Sequence, residues 1–179
     1  MNKGTDIAAI VSKAKADDLS AMRALYDGFA KEMLSASLRI TNSLVDTQDI
    51  IQESFLHSFQ KLGQLQDEGK YGSWLKRIVI NNSIKFVKQR RSFDMINAID
   101  KLYVEENEEP WFYELDFDLI KMEIQKLPNG SREIFSLYLL EEYTHPEIAM
   151  LLGVSVSNSK SQYRYAIKLL RTRLMHLKV

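Results

Sequence analysis

The chain of 179 residues contains no cysteine, only three prolines and seven glycines. Without cysteine there are no disulfide bonds and no thiolate metal sites. Its three histidines, His57, His145 and His176, lie far apart in the sequence, so we expect neither a metal site nor a cofactor. No apolar run approaches the ~18 residues that a membrane-spanning helix needs, and the N-terminus does not resemble a signal peptide. These absences predict a cytoplasmic protein rich in helix.

The net charge is zero, but the charges are strongly segregated along the chain. Between Lys70 and Arg91 every charged side chain is basic, and after Glu147 the same holds to the C-terminus. Between these basic blocks, the stretch from Asp94 to Glu123 is strongly acidic. Screening limits the reach of a surface charge to ~10 Å, so each block acts by its own sign rather than by the sum. The two basic blocks therefore remain candidates for nucleic-acid contacts.

Apolar residues recur at helical spacing nearly everywhere, and no useful alternating strand pattern is present. We expect an all-α protein of two small helical domains joined by an acidic linker, with a helix-turn-helix in the C-terminal domain. The predicted boundaries are residues 1–92, 93–117 and 118–179. Helices are expected near residues 19–40, 46–62 and 73–91, and from 118 to 177 with breaks at Pro128–Gly130 and at Gly153.

The second predicted helix begins with Asp46 as its expected N-cap. Its apolar stripe, Ile51, Phe55, Phe59 and Leu62, is predicted to face a core. The opposite side carries Asp49, Glu53, Leu56 and Gln60. Such a face is either a solvated surface with one exposed leucine or a docking face for a basic partner.

The third predicted helix has apolar residues on two sides and leaves one basic strip free. The strip consists of Trp74, Arg77, Asn81, Lys85 and Lys88. An aromatic ring with cations and an amide can stack on exposed bases and contact phosphates. The alternative is a tryptophan in the core beside solvated lysines. Asn82 is predicted to be a satisfied buried amide, and the loop Lys61–Gly72 is either mobile enough to hold a flipped base or simply a loop.

The stretch from Thr144 to Leu170 has the signals of a helix-turn-helix. Thr144 and Glu147 form a predicted capping box, Gly153 is a stop, and Ser155 can cap the following helix. In that helix, Tyr163, Ile167, Leu170 and Leu174 define the expected core side. The predicted outward residues are Asn158, Ser161, Gln162 and Tyr165, flanked by the cations Lys160, Arg164 and Arg171. Hydrogen-bonding groups beside cations are typical of a recognition helix, although a solvated bundle helix is the alternative.

Three segments resemble bacterial RNA polymerase sigma factors of the extracytoplasmic-function (ECF) class. DTQDIIQESFLHSF (46–59) is similar to the family's polymerase-binding helix, and YGSWLKRIVINNSIKFVKQRR (71–91) to its promoter-melting region. The segment from residue 127 to 174, beginning LPNGSREIF, is similar to the promoter-binding domain. The three matches occur in the family's order and span nearly the whole chain.

The resemblance implies a function in transcription initiation and a role for each matching position. Core RNA polymerase would be bound by Asp49, Gln52, Glu53 and Leu56. The −10 element would be contacted by Trp74, Arg77 and Asn81. The basic strip of the third predicted helix adds Lys88 as a further candidate contact. The −35 element would be contacted by Lys160, Ser161, Gln162, Arg164 and Tyr165. The linker would thread toward the RNA path of the polymerase, where its acids would mimic RNA. The resemblance also implies an anti-sigma protein as a partner, which would provide the only connection to a membrane.

Several positions depart from the family pattern. Gln162 and Tyr165 stand where arginine is common, and Ile80 and Lys85 replace a frequent arginine and aspartate. An amide prefers adenine edges where arginine prefers guanine. We therefore expect an unusual −35 preference, which a Gln162→Arg exchange would alter. Contacts at positions 80 and 85 cannot be carried over from the family.

Two other functions remain open at this stage. A stand-alone helix-turn-helix regulator would use only the C-terminal domain, and a purely interacting protein would bind acidic proteins through its basic blocks. The chain offers no nucleophile–base pair or metal cluster, so we do not expect an enzyme. We also expect the free protein to bind promoter duplex weakly, because the acidic linker offsets both basic blocks.

Overall fold

The structure is a computed structural model that describes residues 6–91 and 117–175. These residues form helices and contain no strand. The helices are α1 (Ile7–Lys15), α2 (Leu19–Thr41), α3 (Leu44–Gln60), α4 (Tyr71–Arg91), α5 (Phe117–Gln125), α6 (Asn129–Phe135), α7 (His145–Leu152) and α8 (Val156–Met175). Two short 3₁₀ turns, Leu62–Gln64 and Glu68–Lys70, connect α3 to α4, and a π turn, Ser136–Leu140, extends α6. The all-α prediction is confirmed.

The chain forms two compact units, divided between Val87 and Lys88. The predicted linker, residues 93–117, lies outside the described residues except for Phe117, where α5 begins. The expected domain boundaries and the expected path of the linker therefore stay predictions. No helix in the described ranges combines the length and the apolar character needed to cross a bilayer.

In the first unit, α1 to α4 pack around a core that includes Leu25, Met33, Phe55, Leu75 and Val79. Period-3.6 apolar stripes on α2, α3 and α4 explain this packing, because each stripe loses water contact only against the other helices.

The beginning of α3 differs from the sequence-based expectation. Its N-cap is Ser43, whose hydroxyl accepts from the amide of Asp46, so Asp46 lies within the first turn. The chain reverses direction at Asn42, directly before Ser43, because Asn42 ends α2 in the left-handed conformation with φ 56°. Helix α3 can therefore begin directly after Ser43. Thr47 is then buried against Thr41, with 2.7 Å between the two hydroxyl oxygens.

Buried hydroxyl groups connect the helices of the first unit in pairs. Ser37 on α2 lies 2.8 Å from Ser83 on α4, and Ser58 on α3 lies 3.1 Å from the Tyr71 hydroxyl. The Asn82 side-chain amide donates to Ser54 Oγ at 2.9 Å, so the prediction of a satisfied amide is confirmed. A buried polar group that loses its partner costs about 1–3 kcal/mol, so these pairs favour one alignment of the helices.

In the second unit, α5, α6 and α8 share a core of Ile124, Leu127, Phe135, Leu170 and Leu174. A break is found near the predicted Pro128–Gly130, but it comprises residues 126–128, since α5 ends at Gln125 and α6 begins at Asn129. Arg132 is buried there, and its guanidinium donates to the Leu127 carbonyl at 3.1 Å and to Asn129 Oδ1 at 2.9 Å. This buried cation ties the first turn of α6 to the end of α5.

Candidate functional site

The outer face of α3 carries an acidic patch with exposed apolar residues. Asp49, Gln52, Glu53 and Leu56 are all exposed, and 62% of the Leu56 surface is accessible. Val45 lies one turn before Asp49 on the same side and is 69% exposed. The sequence analysis missed Val45 because it began the helix at Asp46. We define the outer α3 face as Val45, Asp49, Gln52, Glu53 and Leu56.

The basic strip of α4 faces solvent along most of its length. Arg77, Asn81, Lys85 and Lys88 are exposed. Trp74 is half-buried and packs against the core of the first unit, with its ring centroid 6.1 Å from that of Tyr71. The tryptophan therefore combines both interpretations made from the sequence: one part of the ring supports the core, and the other lies at the start of the cationic strip.

The loop between α3 and α4 is attached to the core instead of hanging free. Leu62 and Leu65 are buried, at 2% and 7% exposure. Lys15 of α1 donates to the Leu65 carbonyl at 3.0 Å and pairs with Glu68 at 2.9 Å. Apolar burial and this lysine attach both of its 3₁₀ turns to the first unit, and the suggested contact with a flipped base stays a prediction.

The joint between α7 and α8 has the predicted caps. The Thr144 hydroxyl accepts from the amide of Glu147, and the Glu147 carboxylate accepts from the amide of Thr144 at 2.8 Å, which completes the capping box. Gly153 ends α7 in the left-handed conformation with φ 70°, where a side chain would be strained. Ser155 then accepts from the amide of Asn158 at 3.0 Å and caps α8. Two helices joined by so short a turn form the helix-turn-helix expected from the sequence.

The residues of α8 predicted to contact DNA differ in how freely they face solvent. Asn158 and Lys160 are exposed, whereas Ser161, Gln162, Arg164, Tyr165 and Arg171 are half-buried. The most buried line consists of Ser159, Ala166, Leu170 and Leu174, with Tyr163 and Ile167 at its edge. Gln162 lies at the border between this core side and the outward side, since its side-chain oxygen accepts a hydrogen bond from Ser131 of α6. Gln162 therefore has a protein partner that the sequence did not indicate, and its predicted contact with DNA stays a prediction.

Two models of one protein family match the chain over most of its length. The model of sigma-70 region 2 matches residues 25–93, which include the outer α3 face and the basic strip. The model of sigma-70 region 4 matches residues 117–170, which include the helix-turn-helix. The chain belongs to the sigma-70 family. It is an RNA polymerase sigma factor, a transcription initiation factor with one unit for each of these two regions.

Relatives of this sigma factor match it nearly from end to end. The ECF RNA polymerase sigma factor SigL of Mycobacterium tuberculosis is 27% identical over 174 residues, which cover 96% of this chain and 98% of SigL. The ECF RNA polymerase sigma factor SigW of Bacillus subtilis is 21% identical over 179 residues, covering 93% of this chain and 96% of SigW. These matches support its assignment to the ECF class.

Solved structures share the fold. CnrH, solved in complex with the cytosolic domain of CnrY, aligns with a TM-score of 0.52 at 20% identity over 97% of this chain and 99% of CnrH. The sigma factor RpoE from Bartonella quintana, solved in complex with the anti-sigma factor NepR, aligns with a TM-score of 0.50 at 17% identity, covering 86% of this chain and 96% of RpoE.

Sequence reasoning missed a cluster around His145, which joins the two helices of the sigma factor's helix-turn-helix. The His145 ring stacks on Tyr138 with centroids 4.3 Å apart, and Tyr163 lies 5.8 Å away from it, edge-on. His145 Nδ1 lies 2.9 Å from the Ser159 hydroxyl oxygen. Burial lowers the pKa of His145, and the nearby cations Lys160 and Arg164 lower it further, which favours the neutral ring. The position of His145 at the start of α7 was visible in the sequence, but its distant partners were not.

Proposed function

We propose that this sigma factor divides promoter-dependent initiation among three helical surfaces. The outer α3 face binds core RNA polymerase, the basic strip of α4 contacts the −10 element as it melts, and α8 contacts the −35 element. The observation that supports this division most strongly is the outer α3 face. It is acidic, it exposes leucine and valine, and it lies within the part of the chain that the region 2 model matches.

An apolar side chain that is well exposed on a folded helix suits a binding surface better than a structural role. Leu56 and Val45 lie on one side of α3 beside Asp49 and Glu53, so a partner with a basic rim and an apolar centre would complement the face. We assign that partner as core RNA polymerase.

The basic strip of α4 is suited to single-stranded DNA. Arg77 and Lys88 can neutralise phosphates, Asn81 offers both a donor and an acceptor, and the exposed part of Trp74 can stack on a base. On α8, exposed Lys160 supports phosphate binding, and Asn158 offers hydrogen-bonding groups to base edges. Ser161, Gln162, Arg164, Tyr165 and Arg171 complete the proposed −35 surface.

We further propose that the factor performs no covalent chemistry and that it acts in the cytoplasm with the polymerase. The proposed domains are residues 1–92 for core binding and −10 recognition, 93–117 as the linker and 118–179 for −35 recognition. Two proteins of this fold have been solved with CnrY and with the anti-sigma factor NepR, which supports an anti-sigma protein as a partner of this chain.

The proposal is tested by mixing the purified chain with core RNA polymerase, followed by gel filtration and run-off transcription from a genomic promoter library. We expect a stable complex, with start sites that share both a −10 and a −35 element. A chain that binds duplex DNA but forms no complex with core polymerase, after any inhibitor has been removed, would instead be a stand-alone helix-turn-helix regulator.

A further inference from the structure

The hydrogen bond between Ser131 and Gln162 connects the buried first turn of α6 to the DNA-facing side of α8. The Ser131 side chain is completely buried, and its hydroxyl donates to Gln162 Oε1. A serine hydroxyl has a single proton, and here Gln162 receives it. In this arrangement the amide oxygen is turned toward the protein, and the NH₂ group is the part left for an external partner.

This orientation changes the base that Gln162 can recognise. A glutamine reads adenine through two bonds, in which its oxygen accepts from N6 and its nitrogen donates to N7. Gln162 cannot offer that pair of groups while its oxygen is turned to Ser131. Its N–H donors suit guanine best, because the guanine edge presents two acceptors, O6 and N7. Adenine presents N7 beside the N6 donor, thymine presents O4 alone, and cytosine presents only a donor.

We propose that Ser131 is a positioning residue that makes Gln162 a hydrogen-bond donor to the −35 element and so favours guanine over adenine at one position. This inference rests on the proposed role of α8 in −35 recognition. It also reverses the adenine preference that the sequence alone favoured for this amide.

The test uses the full-length chain with core polymerase on a promoter library whose −35 hexamer is randomised, and transcripts are sequenced to obtain the base preference at each position. Gln162→Ala identifies the position that depends on Gln162. Ser131→Ala removes the hydrogen-bond donor, and Ser131→Cys replaces it by a weak donor of similar size. Ser131→Thr keeps a hydroxyl group. Ser136→Ala is the matched control, since Ser136 is also fully buried in the same helical segment and its hydroxyl has no hydrogen-bond partner among the described residues.

The unaltered factor should prefer guanine at the Gln162-dependent position. Ser131→Ala should raise the adenine-to-guanine ratio there by about fivefold or more, because a good bidentate pair discriminates at least that strongly. Ser131→Cys should shift the ratio in the same direction, whereas Ser131→Thr and Ser136→Ala should keep the original preference. If Ser131→Ala does not assemble with the polymerase, the cysteine variant provides the same comparison.

Three results would overturn the inference. The first is an adenine preference in the unaltered factor, the second is an unchanged preference in both Ser131→Ala and Ser131→Cys, and the third is no position that responds to Gln162→Ala. In each of these cases the library can still show −35 dependence, and the proposed function survives. Transcription that ignores the hexamer altogether would contradict the proposed function itself.

Discussion

Phe55 and Leu56 are adjacent in α3, but the first is buried and the second is exposed, so replacing each by alanine separates folding from the proposed polymerase binding. Phe55 is 2% exposed, with ring centroids 4.7 Å from Tyr26 and 6.0 Å from Phe59, whereas Leu56 is 62% exposed. We expect Phe55→Ala to destabilise the first unit and Leu56→Ala to weaken binding to core polymerase without destabilising the chain.

The two effects differ in size. Removing a buried phenylalanine costs about 3–5 kcal/mol, which lowers the Tm of a unit of this size by more than about 10 °C. Replacing an exposed leucine by alanine changes stability by less than about 0.5 kcal/mol, since alanine is also a good helix former. Full burial of a leucine contributes about 1.5–3 kcal/mol. Docking can bury only the exposed part of Leu56, so its loss should raise the Kd for core polymerase by about 5- to 25-fold.

Thermal unfolding followed by circular dichroism measures the first effect, and titration of fluorescently labelled protein with core polymerase measures the second. Leu19→Ala is the matched control, because Leu19 is 79% exposed on α2 and lies outside the outer α3 face. An unchanged Kd for Leu56→Ala, or an equal loss of affinity for Leu19→Ala, would refute the assignment of this face. A Tm fall of several degrees in Leu56→Ala would show that the leucine has a structural role.

Three further results are expected. Burial lowers the pKa of His145, so folding favours the neutral ring, and as pH falls below about 6.5 the unfolded chain takes up the proton first. The Tm of the second unit should therefore fall with pH in that range, and it should fall less steeply in His145→Gln. Arg77→Ala should reduce strand opening at the −10 element, as detected with permanganate, and should leave core binding unchanged. Lys13→Ala on α1 is the control, because Lys13 is exposed and outside the strip, and it should change neither strand opening nor core binding. Deleting residues 94–117 should strengthen binding of the free protein to promoter duplex in a gel-shift assay, and an unchanged affinity would contradict the idea that linker acids offset the basic blocks.

The features that could be predicted from the sequence are those that local chemistry determines. The capping box of Thr144 and Glu147 and the stop at Gly153 each need only neighbouring residues. Both features are found where they were expected. The start of α3 was missed by a few residues because Ser43 and Asp46 are both good caps. The choice between them depended on the left-handed turn at Asn42 and on the tertiary pairing of the helices that follow it.

The contacts that could not be predicted join residues far apart in the chain. Lys15 holds the Leu65 carbonyl across 50 residues, and Ser131 holds Gln162 across 31. Each involves a side chain that helical periodicity alone assigns to a solvated surface or leaves without a role. The periodicity of α8 placed Gln162 on the outward side, and only the packing of α6 against α8 shows that its oxygen is engaged.

The buried polar pairs of the first unit also connect its two proposed functions. The outer α3 face and the basic strip belong to different helices, which are joined inside the unit by the Asn82–Ser54 and Tyr71–Ser58 hydrogen bonds. A shift of α3 by one residue relative to α4 would leave these buried groups without partners, at a cost of about 1–3 kcal/mol for each. The angle between the outer α3 face and the strip is therefore fixed by the fold. If the outer α3 face binds the polymerase as proposed, the same docking would also orient Arg77 and Asn81 for the −10 element.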